Sequence, residues 1–125
     1  MLPLAAPDAK PPAELRQRIL NSITPKVPDI GTLVRPGDTP WEESPIPGVA
    51  VRKLNGRKTM LVRMAPGTVY PQHEHALAEQ CLVLEGSIRS GDMTASAGDF
   101  TYMPAGSTHS PLYSDTGCLL LIAYT

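Results

Sequence analysis

Proline and glycine cut this chain into short pieces. Fourteen prolines and ten glycines fall across 125 residues, and few intervals between them are long enough for a helix of several turns. Proline removes a backbone donor, and glycine supplies the backbone freedom that tight turns need. The pairs Pro36-Gly37, Pro47-Gly48, Asn55-Gly56 and Pro66-Gly67, with the single glycines Gly86, Gly91, Gly98, Gly106 and Gly117, therefore mark turns. Between them lie predicted strands at 32–35, 49–54, 59–64, 80–84, 99–103 and 119–124, with a shorter one at 93–96. Asn55-Gly56 between two apolar stretches is a hairpin signal, because both residues tolerate a positive φ. Regular short strands of this kind predict an all-β sandwich or small barrel and argue against a helical bundle.

Residues 12–23 are the exception. Leu15, Ile19 and Ile23 recur every four residues with Leu20 beside them, while Glu14, Arg16, Gln17 and Arg18 take the wet side. Pro11 and Pro12 suit the entry to a helix, and Pro25 ends the pattern. The expected organisation is an N-terminal extension over residues 1–30 with one amphipathic helix, then a β-barrel domain over 31–125. Residues 81–84 are apolar on both faces of their strand. The second face would meet the other sheet, the N-terminal segment or a second subunit, and a homodimer is the expectation.

Composition narrows the function. Eleven basic and twelve acidic residues leave a formal net charge of -1, and no basic cluster stands out. No nucleic-acid role is expected. Cys81 and Cys118 form neither a disulfide framework nor a zinc-finger pattern; they read as two reduced, buried thiols, with a single bridge as the alternative. The first residues carry no basic, apolar leader. The longest late apolar run, 118–123, is too short to span a bilayer, so no membrane association is expected and the cytoplasm is the default location.

All three histidines fall into one pattern. Gly67 is followed by His73, His75, Glu79 and Gly86, and Gly98 by Pro104, Gly106 and His109. Residues i and i+2 of a strand share a face, so the imidazoles of His73 and His75 can converge on one ion. Glu79 opens the next apolar strand after a short turn and can reach the same ion. His109 follows a Pro-x-Gly turn that can aim a further ligand inward from a separate hairpin. Three neutral imidazoles and a carboxylate suit one divalent transition metal ion: zinc, iron, manganese, nickel or copper. Calcium and magnesium prefer all-oxygen shells. Glu74 should point away from its two neighbours, into solvent.

These two stretches, Gly67 to Gly86 and Gly98 to His109, resemble the two sequence motifs of the cupins. The terminal Asn of the second motif is replaced by Tyr113; in the family that Asn is structural and not a ligand. The resemblance implies a single cupin jelly-roll β-barrel with a short N-terminal helical extension. It also implies a metal near the barrel mouth on His73, His75, Glu79 and His109, with positions left open to water, substrate or dioxygen. Pro47-Gly48-Val49, Lys53-Leu54, Leu82-Val83-Leu84-Glu85-Gly86, Gly98-Asp99-Phe100 and the run from Pro104 to Pro111 are similar to the cupin domain of ChrR-type anti-sigma factors. Pro11-Pro12-Ala13-Glu14-Leu15-Arg16 resembles the linker helix before that domain. Those regulators grip a sigma factor with a His-x3-Cys-x2-Cys zinc motif, which this sequence lacks, so a sigma-factor partner is not expected.

The remaining residues leave alternatives open. Tyr70 reads either as a donor near the metal or as a surface tyrosine. Either Phe100 with Tyr102 or Thr101 with Met103 lines the cavity. Cys81 shares the nominal face of Glu79, beside the metal ligands or simply packed. A Ser-His-Asp triad would need a histidine already given to the metal, and no phosphate-binding glycine loop is present. The expected function is a mononuclear metal-binding cupin of the ChrR-like group that binds a small molecule or oxidant at an open site. The alternative is a metal-dependent dioxygenase acting on a small carbonyl or enol substrate. A purely structural metal is a third reading.

Overall fold

The computed structural model of the protein describes residues 30–125. The helix expected at 12–23 lies outside the described residues. Within them the architecture is all-β, with no helix. The strands are β1 (Trp41–Glu43), β2 (Val49–Asn55), β3 (Thr59–Met64), β4 (Thr68–Tyr70), β5 (His73–Glu74), β6 (Glu79–Ser90), β7 (Met93–Ser96), β8 (Phe100–Met103), β9 (Thr108–His109), β10 (Leu112–Ser114) and β11 (Cys118–Tyr124). All pairings are antiparallel.

One large sheet curls into a half-barrel about β6. Its first half is flanked by β11 and β8, and the order continues through β3 and β2 to β1. Its second half is flanked by β7 and β10, and β10 leads on to β4. β5 and β9 form a separate two-stranded ribbon.

The sequence predicts that β6 ends at Gly86, but the strand runs on to Ser90. The register against β11 slips between Leu119 and Leu120, so one residue of β6 is left over just before Gly86. Such a bulge bends a strand and raises its twist. Gly86 has φ +72°, and a Cβ there would lie 2.0 Å from the Gly117 carbonyl oxygen. Only glycine allows the corner at which β6 passes from one leaf of the sheet to the other. The Asn55-Gly56 hairpin forms as expected, though with a wider turn and a register shift beside it.

The predicted strand at 32–35 is not formed. The amide of Arg35 donates to the Asp38 carboxylate at 2.8 Å, and its carbonyl accepts from the Asp38 amide. The same carbonyl, with that of Thr39, accepts from the buried Arg52 guanidinium. The backbone of this segment is thus committed to a turn that satisfies Arg52, and not to a ladder.

The core lies on the concave face. Val49, Val62, Met64, Cys81, Val83, Cys118, Leu120 and Ile122 alternate inward from β2, β3, β6 and β11, and Ile88 joins them from the second half of β6. The opposite face of the same strands carries Leu82, Leu84, Phe100, Tyr102, Leu119 and Leu121, with Phe100 58% and Tyr102 55% exposed.

Candidate metal centre

β5 and β9 place two of the histidines directly opposite each other. His73 pairs with His109 across the ribbon. The chain past β5 continues the pairing: the His75 amide donates to the Ser107 carbonyl at 2.8 Å, and the Gly106 amide donates to the His75 carbonyl at 2.7 Å. His109 therefore belongs to the same ribbon as His73 and His75, where the sequence suggests a separate hairpin. The turn at Pro104, Ala105 and Gly106 is what aligns the two halves.

The three rings converge. Their centroids lie 4.7 Å (His73 to His75), 4.4 Å (His73 to His109) and 5.0 Å (His75 to His109) apart. One ligand nitrogen from each ring lies within 4.8 Å of the others, a spacing suited to holding a metal ion. In each ring Nδ1 faces a backbone carbonyl: Ser107 for His75 at 3.2 Å, Ser110 for His109 at 2.6 Å and Pro71 for His73 at 3.4 Å. An Nδ1–H held by a carbonyl leaves the Nε2 lone pair free, and Nε2 is one of the two ring atoms through which histidine binds a metal. Burial is the main cause that pushes the pKa of His109 down, with His73 and His75 adding to it and the Ser110 carbonyl and the Glu79 charge opposing it.

Glu79, at the start of β6, stands beside this cluster, outside the set of three residues whose ligand atoms all lie within 4.8 Å of one another. Its Oε2 lies 2.7 Å from Nε2 of His75, whose side chain is only 2% exposed. Yet the Nε2 atom makes no hydrogen bond. A nitrogen lone pair and a carboxylate oxygen so close repel each other unless a cation or a proton lies between them. Donor types and geometry alike fit a transition metal ion. Glu74, between His73 and His75, is exposed as expected.

Two tyrosines border the cluster. The Tyr70 ring lies 5.3 Å from that of His73 and 6.1 Å from that of His109, which resolves its reading in favour of the site. Burial raises its pKa, and the Glu79 charge adds to this. Tyr124 sits opposite Glu79 in the β11–β6 register, and burial with the Glu79 charge pushes its pKa up to about 12. The sequence reading missed Tyr124. Alternation from Leu120 and Ile122 on β11 would have placed it on the same inward face.

Beside the cluster opens a cavity of about 450 Å³. Thr101 and Met103 line it, while Phe100 and Tyr102 point to the outer face. Cys81 is in its wall, buried and unbridged, with a pKa raised to about 11 chiefly by burial and then by Glu79. Tyr113, which stands where the cupin motif ends in Asn, stacks under the Arg89 guanidinium at 4.7 Å.

The comparisons with known proteins agree with this architecture. The family profile of the ChrR Cupin-like domain matches residues 30–125. No curated protein matches the chain. An RmlC-like cupin from Ralstonia eutropha is 24% identical with a TM-score of 0.63, over 74% of this chain and 68% of its own. An acetylacetone dioxygenase from Acinetobacter johnsonii is 13% identical with a TM-score of 0.63, over 74% of this chain and 71% of its own. The complex of Rhodobacter sphaeroides SigE with the anti-sigma ChrR contains a chain 23% identical with a TM-score of 0.62, over 100% of this chain and 70% of its own. These likenesses establish the cupin fold. With the profile matched from residue 30 to residue 125, the chain belongs to the ChrR cupin-like family.

Proposed function

We propose that the protein is a mononuclear metal-binding cupin that holds one divalent transition ion on His73, His75, Glu79 and His109 and admits a small molecule or oxidant from the adjoining cavity. The convergence of three histidine nitrogens within 4.8 Å of one another, with the Glu79 carboxylate 2.7 Å from one of them, carries this reading. When bound, the ion supplies Lewis acidity toward a ligand oxygen and, if redox-active, access to dioxygen chemistry. The chain's own contribution is to orient three imidazoles toward one point, to bring one carboxylate beside them and to line the approach with apolar walls. The Tyr70 and Tyr124 hydroxyls remain protonated donors beside the Glu79 carboxylate.

The second reading is a metal-dependent dioxygenase for a small carbonyl or enol substrate. The cavity beside the ligands favours it, as does the likeness to a structure described as an acetylacetone dioxygenase. The reading further comprises an extension over residues 1–30 ahead of a barrel domain over 31–125, and a reducing, cytoplasmic setting, since Cys81 and Cys118 are free thiols. A homodimer would bury the apolar outer face of β6, β8 and β11.

The test is metal content by elemental analysis of untagged protein, with the His73→Ala/His75→Ala double variant as control. Near-stoichiometric metal lost in the variant is expected. Iron, manganese, copper or nickel would favour the dioxygenase and direct oxygen-uptake assays; zinc would favour the binding module. No metal after reconstitution with each ion would overturn the proposal.

A further inference from the structure

The cavity beside the histidines is unusually poor in charge. Among the described residues that line it, Glu79 is the one with a formal charge at neutral pH. Lysine and arginine are absent from that lining. Nearby charges, Glu42, Glu43, Lys53, Arg57 and Glu74, line an adjoining groove that shares His73 and His75 with the cavity. The walls are instead Val62, Leu120 and Ile122 from the large leaf and Ile88 and Ala95 from the second. Met60, Met64, Met93 and Met103, which are all the methionines after Met1, line it as well. Thioether side chains are unbranched and adapt to the shape of what they contact. A volume of about 450 Å³ is in the range of small-molecule sites.

We infer, resting on the metal reading above, that this cavity takes a molecule with one polar or singly charged end directed at the histidine cluster and an uncharged, apolar body. A second charged group on that body would be buried without a partner, which is costly in any apolar surrounding. The methionine-rich wall makes body shape the weaker criterion. Dicarboxylates, amino acids and phosphate esters with further charges are thereby excluded, and short-chain monoacids, enols and phenols are admitted. Selection is made by charge count along the wall, not by a dedicated binding group.

A matched series tests this on the wild-type chain. Acetate, hexanoate, adipate and 6-aminohexanoate share a carboxylate; they differ in tail length or in a second charge at the far end. Each is titrated into cobalt-loaded protein and followed by the visible absorption of the cobalt, and into metal-free protein and followed by melting temperature. Each buried methylene is worth roughly fourfold in affinity. Hexanoate is therefore expected to half-saturate at a concentration at least tenfold below those of the other three. A ratio under tenfold against any of them overturns the inference. Cobalt absorption absent from the parent protein would overturn the metal reading alone. The ranking would then be decided by the melting temperatures, which sense the apolar wall without the ion.

Discussion

Residue identity matters most where a polar group is buried. His75 is 3% exposed, and its Nε2 lies 2.7 Å from the Glu79 carboxylate, a contact that needs a cation or a proton between the two atoms. Glu79→Gln keeps the volume and removes the charge. Retention of metal in a chelator competition should fall at least as far as the roughly 10- to 100-fold that loss of a supporting group costs at metal sites, while the folded spectrum is kept. An unchanged affinity would remove Glu79 from the ligand set. The thiols behave in the opposite way, because nothing about them is unsatisfied. Cys81 has a pKa raised from 9.0 to about 11 and Cys118 is shifted the same way, burial being the first cause of each. At pH 8 that shift alone lowers the Cys81 thiolate population by about 100-fold. Neither thiol should react with a chromogenic disulfide reagent in the native protein, and both should react in urea. Prompt native labelling would contradict the burial of both. The residue types of the metal site were legible in the sequence, since three histidines and one glutamate in a strand-compatible spacing have few other uses. The direct opposition of His73 and His109 was not, because a pairing between residues so far apart in the chain leaves no local pattern.

Length decided much of what was legible, with β6, the longest strand, as the exception. β2, β3 and β11 run six or seven residues each, and their alternation of inward and outward side chains is visible in the sequence to within a residue or so. β1, β4, β5, β9 and β10 are two or three residues long. No periodicity can be read over so short a span; their existence is decided by the neighbours they pair with. The segment at 32–35 failed for a related reason: its composition suits a strand, but the buried Arg52 guanidinium claims its carbonyl. β6 was cut short because glycine signals a turn and a bulge equally well. Its corner gives the sharpest prediction at this scale. Gly86→Ala must adopt a left-handed backbone and place a Cβ 2.0 Å from the Gly117 carbonyl oxygen. The left-handed conformation costs about 1–2 kcal/mol and the clash adds to it, so a loss of about 3 kcal/mol or more is expected in urea unfolding. Gly91→Ala is the control, because it also has positive φ but its Cβ meets nothing within 4 Å. Equal losses at the two glycines would mean that the corner is not tightly packed.

At the scale of the whole molecule the curled sheet separates two apolar surfaces. The concave one encloses the cavity and has the three-histidine cluster at its end. The convex one leaves Phe100, Tyr102 and Leu84 exposed at 58%, 55% and 39%, beside half-buried Leu82, Leu119 and Leu121. A contiguous apolar patch on a sheet face signals an interaction surface more often than chance. Because inward and outward residues alternate on the same strands, a substitution on the convex face leaves the register, and hence the site, where it was. The proposed homodimer is therefore separable from metal binding. Phe100→Asp and Tyr102→Lys, made singly, introduce a charge into the patch without touching a concave residue. Sedimentation velocity is expected to show a dimer for the parent and a monomer for either variant at the same concentration, with metal content per chain unchanged. A parent that sediments as a monomer at all concentrations would remove the dimer. Variants that stay dimeric would move its interface elsewhere. Loss of metal together with loss of the dimer would show that the two faces are coupled through the sheet, against the independence argued here from strand alternation.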